Sequence, residues 1–109
     1  MKNTIVGVDL AKKVIQVCVY KFNKVQSNTE MSLNEFTAWL ASSAAFTIVF
    51  EACGTSNYWK QKALSCGHDA RLVSAKLVSA IRQQQKTDKN DAIAIVQASL
   101  LPDVAFITG

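Results

Sequence analysis

Two apolar, β-branched runs separated by only three residues constrain this chain more than any other feature. Thr4-Ile-Val-Gly-Val-Asp-Leu10 and Val14-Ile-Gln-Val-Cys-Val-Tyr20 flank Ala11-Lys12-Lys13, and each run reads as a strand. Parallel strands need a crossover of roughly a dozen residues or more. The short connection therefore permits only a tight antiparallel hairpin. The first run is apolar on both faces, which places it in the middle of a sheet.

The rest of the chain supplies the remainder of that sheet and its cover. Lys24 to Asn28 gives a third, polar strand suited to an edge. Ser32-Leu-Asn-Glu35 is a capping box, with Met31 and Phe36 at the positions of a hydrophobic staple. The helix it opens should run to about Ser42 with Leu33, Phe36 and Leu40 on its apolar face. Phe46-Thr-Ile-Val-Phe50 predicts a fourth strand, closed by Glu51. Gly54-Thr-Ser-Asn57 leads into a helix with Trp59, Ala63 and Cys66 inward, stopped by Gly67 as a left-handed cap. Ala70 to Val73 makes a short fifth strand, and Leu77, Val78 and Ile81 mark another helix. A polar, basic stretch from Arg82 to Lys86 precedes a last helix from about Asp88 to Leu100, broken by Pro102.

The order β-β-β-α-β-α-β-α-α predicts an α/β fold, a mixed five-stranded sheet with helices packed on it. With 109 residues, 50% of them apolar and 18% charged, disorder is excluded. Residues 1–109 are expected to form one domain, since no repeat or linker interrupts them. The apolar ending after Asp103 suggests that a further segment follows. The longest uncharged stretch, Phe36 to Phe50, is shorter than the ~20 residues a membrane-spanning helix requires. Asp9 interrupts the only N-terminal apolar run, which argues against a secretory leader and for a cytoplasmic protein.

Twelve Lys and Arg face eight Asp and Glu, a net charge of +4. From Lys60 to Lys89 there are seven basic residues against only Asp69 and Asp88, a tilt that favours a polyanionic partner. Three cysteines with no C-x-x-C argue for a reducing compartment rather than a disulfide framework. Cys66-Gly67-His68 lacks a fourth ligand at usable spacing and reads as buried small residues beside a lone imidazole.

The position of the acids is the anomaly. Asp9 interrupts an apolar central strand, and Glu51 ends another. Strand-end solvation or backbone amides would account for either acid alone, but two on separate buried strands point to a shared partner. In Lys86-Thr-Asp88-Lys-Asn-Asp91, the two acids stand i, i+3 and project to one side of a helix. Asp88 as N-cap and Asp91 in the first turn, complementing the helix dipole, would account for the pair, although capping needs only one acid and the helix follows a basic strip. Four carboxylates without imidazole or thiolate form an all-oxygen site, suited to Mg²⁺ or Mn²⁺. Two such ions about 4 Å apart stabilise both the attacking and leaving oxygens of a phosphoryl displacement. Gly7, two residues before Asp9 on one strand face, is expected to leave space above the sheet. Lys12, Lys13, Arg82, Lys86 and Lys89 would contact phosphates without reading sequence. Tyr58 and Trp59 are placed to stack on a base or, at helical spacing beside Ala63, to fill the core.

These same residues resemble the three acidic blocks of the DEDD transposases of insertion sequences, a family that includes the Piv-type DNA invertases. The blocks are Val6-Gly-Val-Asp9-Leu-Ala-Lys12, Glu51-Ala-Cys-Gly54-Thr-Ser-Asn-Tyr58-Trp and Lys86-Thr-Asp88-Lys-Asn-Asp91-Ala. The resemblance covers nearly the whole chain. It implies an RNase H-like, RuvC-like N-terminal domain whose metal-binding tetrad is Asp9, Glu51, Asp88 and Asp91. It further implies DNA as substrate, a homo-oligomer, a guide-like structured RNA as partner, and a separate C-terminal domain, absent here, with a nucleophilic serine. Ser74-Ala-Lys76 stands where many members carry a proline, and the second block lacks the commoner Gly-Gly.

Two other readings compete with this one. Val6-Gly-Val-Asp9-Leu also resembles the first phosphate motif of actin-like ATPases and sugar kinases. In those, Gly and Thr or Ser follow where this chain has Ala11-Lys12-Lys13. The third is a non-catalytic nucleic-acid-binding module that keeps the fold without its metals.

Overall fold

Strands β1 (Ile5–Leu10) and β2 (Val14–Lys21) form the expected antiparallel hairpin, in register from Ile5 with Tyr20 to Leu10 with Ile15. The computed structural model describes residues 4–11, 13–84, 91–101, 104, 106 and 107, with the backbone alone for residues 83, 84 and 91. Strand β3 (Lys24–Ser32) extends the antiparallel ribbon on the far side of β2. It runs beyond the predicted end at Asn28. Backbone pairing from Lys21 with Lys24 to Val14 with Ser32 carries it, and no apolar pattern is required. All its residues but Met31 are exposed, as expected of an edge.

The Ser32 hydroxyl accepts from the Glu35 amide at 3.0 Å, and the Glu35 carboxylate accepts from the Ser32 amide at 2.8 Å. This capping box opens α1 (Leu33–Ser42). Phe36 and Leu40 are fully buried, but Leu33 is 40% exposed, against expectation. Standing first in the helix, it borders an open cleft with Leu10, Ala11, Gly54, Thr55 and Trp59 instead. Trp39 takes the apolar place, stacked on Phe36 at 5.8 Å.

Strand β4 (Thr47–Glu51) pairs parallel to β1, and β5 (Asp69–Val73) parallel to β4, giving the order β3-β2-β1-β4-β5. The crossovers are α1 and α2 (Ser56–Ser65), the latter ending where Gly67 takes φ 92°. Helices α3 (Ala75–Gln84) and α4 (Asp91–Ser99) follow. The predicted start of α4 at Asp88 lies outside the described residues. Beyond α4, Ile107 forms an isolated antiparallel bridge to Leu72 on the outer edge of β5.

The sheet has a core on each face. On one, Phe36 of α1 and Trp59 of α2 pack on Val6, Val8, Ile48 and Phe50. On the other, Ala94, Ile95 and Ala98 of α4 join Val49, Val73 and Val78. His68 locks the first layer. Its Nδ1 accepts from the Phe46 amide at 3.1 Å, so Nε2 carries the proton and donates to the Leu40 carbonyl at 2.8 Å. With both ring nitrogens engaged by backbone, Cys66-Gly67-His68 is a structural element and not a metal ligand set. His68→Ala strands both backbone partners and removes a ring stacked on Trp39 and Phe46. We expect a loss of about 3 kcal/mol in urea denaturation.

Candidate metal and nucleic-acid site

Parallel pairing of β1 and β4 runs Gly7 with Val49 and Val8 with Phe50. Asp9 and Glu51 are the next residue on each strand, so the two acids stand side by side at the same end of the sheet. Side chains alternate along a strand, so Asp9 shares a face with Gly7 and Glu51 with Val49. Both faces lie under α4, since Val49 packs on Ala94 and Ile95 and Gly7 meets Ala92 and Val96. Asp9 and Glu51 are half-buried, and neither is without a partner.

Gly7 explains how α4 comes so close. A Cβ at this position would stand 2.6 Å from Val96 Cγ2 and closer still to the carbonyl oxygen of Ala92. The space expected above Gly7 is therefore filled by the helix backbone rather than left for a ligand. Close approach brings Asp91, the first residue of α4, next to Ala92 at this part of the sheet. The Asp91 side chain, together with Lys12, Lys86, Asp88 and Lys89, lies outside what the structure describes. Among the described residues no three His, Cys, Asp or Glu side chains form a ligand cluster.

Of the five cations expected to contact phosphates, the structure describes Lys13, exposed in the β1–β2 connection at the Asp9 end, and Arg82, half-buried in the last turn of α3. Trp59 is a core residue, 7% exposed. Tyr58 is 59% exposed, edge-on to Trp59, with the Lys62 ammonium 5.8 Å from its ring.

Two cysteines bracket the acids and differ sharply. Cys18 is buried against Ala92 and Val96, and burial pushes its thiol up from 9.0 to about 11. Cys53 is exposed in the loop after Glu51. A thiol reagent at pH 8 is expected to label Cys53 at once and Cys18 only as fast as the chain unfolds. Because the folded pKa of Cys18 is the higher, its contribution to stability holds below pH 9 and is lost as pH rises towards 11. Cys18→Ala should flatten that alkaline loss relative to the parent chain.

A ribbon of three antiparallel strands continued by two parallel ones, helices on both faces, and acids ending neighbouring central strands make up the RNase H-like arrangement. The family of IS110-type DEDD transposases, described as "Transposase", matches residues 6–106, and the chain belongs to it. It is 32% identical over 96% of its length to the transposase for insertion sequence element IS1111A of Coxiella burnetii, covering 29% of that protein. It is 26% identical over 96% of its length to the transposase for IS1328 of Yersinia enterocolitica, covering 32%. A pilin gene-inverting protein of Moraxella bovis is 28% identical over 89% of the chain and 34% of its own length. The chain thus spans about a third of the length of the curated relatives it matches. The family favours neither the actin-like ATPase reading nor the non-catalytic module. Among the described residues, no helix is long and apolar enough to cross a membrane.

Proposed function

We propose that this chain is the part of a DNA transposase that holds divalent cations and sets a DNA phosphate against them for strand transfer. The observation that carries this reading is that Asp9 and Glu51 each follow directly on the paired Val8 and Phe50 of neighbouring parallel strands, under a helix whose first residue is Asp91. A divalent cation held between two half-buried carboxylates at one level would be attracted to both. The all-oxygen donor set fits Mg²⁺ or Mn²⁺.

In this reading Asp9, Glu51, Asp88 and Asp91 hold two ions, which would supply charge stabilisation at the phosphoryl group. Gly7 and the α4 backbone it admits would set the spacing between the acids of the strands and Asp91 at the start of the helix. Lys12, Lys13, Arg82, Lys86 and Lys89 would hold the flanking phosphates and set the register of the DNA. An oligomer would bring two such sites onto the two strand ends that a recombination event requires.

Titration calorimetry with MnCl2 tests the reading. The parent chain should take up Mn²⁺ with measurable heat, and Glu51→Gln should weaken uptake at least tenfold. An isotherm without heat, or one that Glu51→Gln leaves unchanged, contradicts it.

A further inference from the structure

The β2–β3 hairpin ends in an arrangement that the fold does not need. Lys21 pairs with Lys24 across a two-residue loop, Phe22-Asn23. Both loop residues have positive φ, 56° and 62°, the geometry of a type I′ turn. Asn-Gly is the pair this turn takes without strain, and a bulky aromatic in its first position is a backbone outlier. Burial gives nothing in return, because Phe22 is 71% exposed, more than any other large apolar residue described.

The tip is nevertheless held in place. Gln26 Nε2 donates to the Lys21 carbonyl at 2.8 Å, and the Lys21 ammonium sits 4.9 Å from the centre of the Phe22 ring. A break in register between Val19 and Tyr20 twists the ribbon just before the tip. Charge points the same way as shape: Lys21 and Lys24 flank the loop directly, and the sequence holds no acid from Leu10 to Thr29.

We propose that Lys21-Phe22-Asn23-Lys24 is a contact for duplex DNA. The two ammonium groups meet phosphates on either side, and the Phe22 ring wedges against a base step. An apolar wedge flanked by cations is the chemistry of proteins that grip and bend a duplex, and a two-stranded ribbon fits a groove. Ile5 pairs with Tyr20 and Leu10 with Ile15, so the tip lies at the opposite end of the sheet from Asp9. Strand rise makes that about 20 Å, or about six base pairs from a phosphate held at the acids. The inference rests on the DNA reading above and adds a second, remote point of contact to it.

The experiment measures two quantities that should move in opposite directions. Fluorescence anisotropy of a labelled 30-base-pair duplex gives the affinity of the 109-residue chain, and a thermal melt gives its stability. Phe22→Asn should raise the melting midpoint by a few degrees, because Asn tolerates the left-handed backbone, while weakening duplex binding about tenfold. Asn23→Gly should raise the midpoint and leave binding unchanged. Lys21→Ala and Lys24→Ala should each reduce the salt dependence of binding by about one unit. Equal duplex affinity for Phe22→Asn and the parent overturns the proposal, as does a lowered midpoint. A Phe22-dependent loss seen only with single-stranded DNA or RNA of the same length also overturns it. If the parent binds no DNA at all, the functional reading fails with it. A parent that binds well and ignores Phe22 removes the tip contact alone.

Discussion

Gly7→Ala is expected to destabilise the chain by about 3 kcal/mol in urea denaturation, although Gly→Ala inside a strand ordinarily helps by about 0.5–1 kcal/mol. The sign reverses because the added methyl meets the Ala92 carbonyl oxygen and Val96 Cγ2 of α4. A flexible side chain could swing away, but a helix backbone has to shift as a body, and overpacking of this kind costs about 1–3 kcal/mol or more. Displacement of α4 also carries Asp91 away from Asp9, so any stabilisation by Mn²⁺ should shrink in the same variant. Adding Val96→Ala relieves the side-chain part of the clash and not the part against the carbonyl, so rescue should be partial. A Gly7→Ala chain as stable as its parent contradicts the close approach of α4 to β1.

Asp9→Asn is expected to abolish the thermal stabilisation that Mn²⁺ confers. A ligand at about 100 times its dissociation constant stabilises by about 2.7 kcal/mol, which for a chain of this length is an upward shift of about 10 °C. Removing one carboxylate from the pair should bring that shift close to zero. Without metal the effect should be small, because Asn is nearly the same shape as the half-buried Asp9 and the fold should stay intact. A variant that melts lower without metal yet keeps the full Mn²⁺ shift would make Asp9 a structural residue and move the metal elsewhere.

The sequence carried most of the fold, and the reasons are local. The short connection between two β-branched runs dictated the hairpin, Ser32 and Glu35 dictated the start of α1, and Gly67 the end of α2. Strand β3 was less legible past Asn28, because backbone pairing with β2 and not an apolar pattern extends it to Ser32. Leu33 was misplaced because helical periodicity does not say where a sheet ends beneath a helix. The role of Gly7 was hidden for a related reason: sequence shows that a side chain is missing, and only the fold shows that α4 fills the gap.

The candidate site divides in the same way. An acid within an apolar run is conspicuous, so Asp9 and Glu51 stand out as candidates in the sequence, and the β1–β4 register places each directly after the Val8–Phe50 pair. Phe22 carries no comparable signal, because an exposed aromatic has no periodic signature. The available signal was a two-residue loop between lysines that lacked the glycine such a turn prefers.

A crystal of the chain grown with MnCl2 and measured at the manganese absorption edge would locate the bound ions. Anomalous density is expected between the Asp9 and Glu51 carboxylates, on the face covered by α4 and within ligand distance of Asp91. Ordered Asp9 and Glu51 side chains with no anomalous density between them, or density bound only elsewhere on the molecule, would contradict the proposed site.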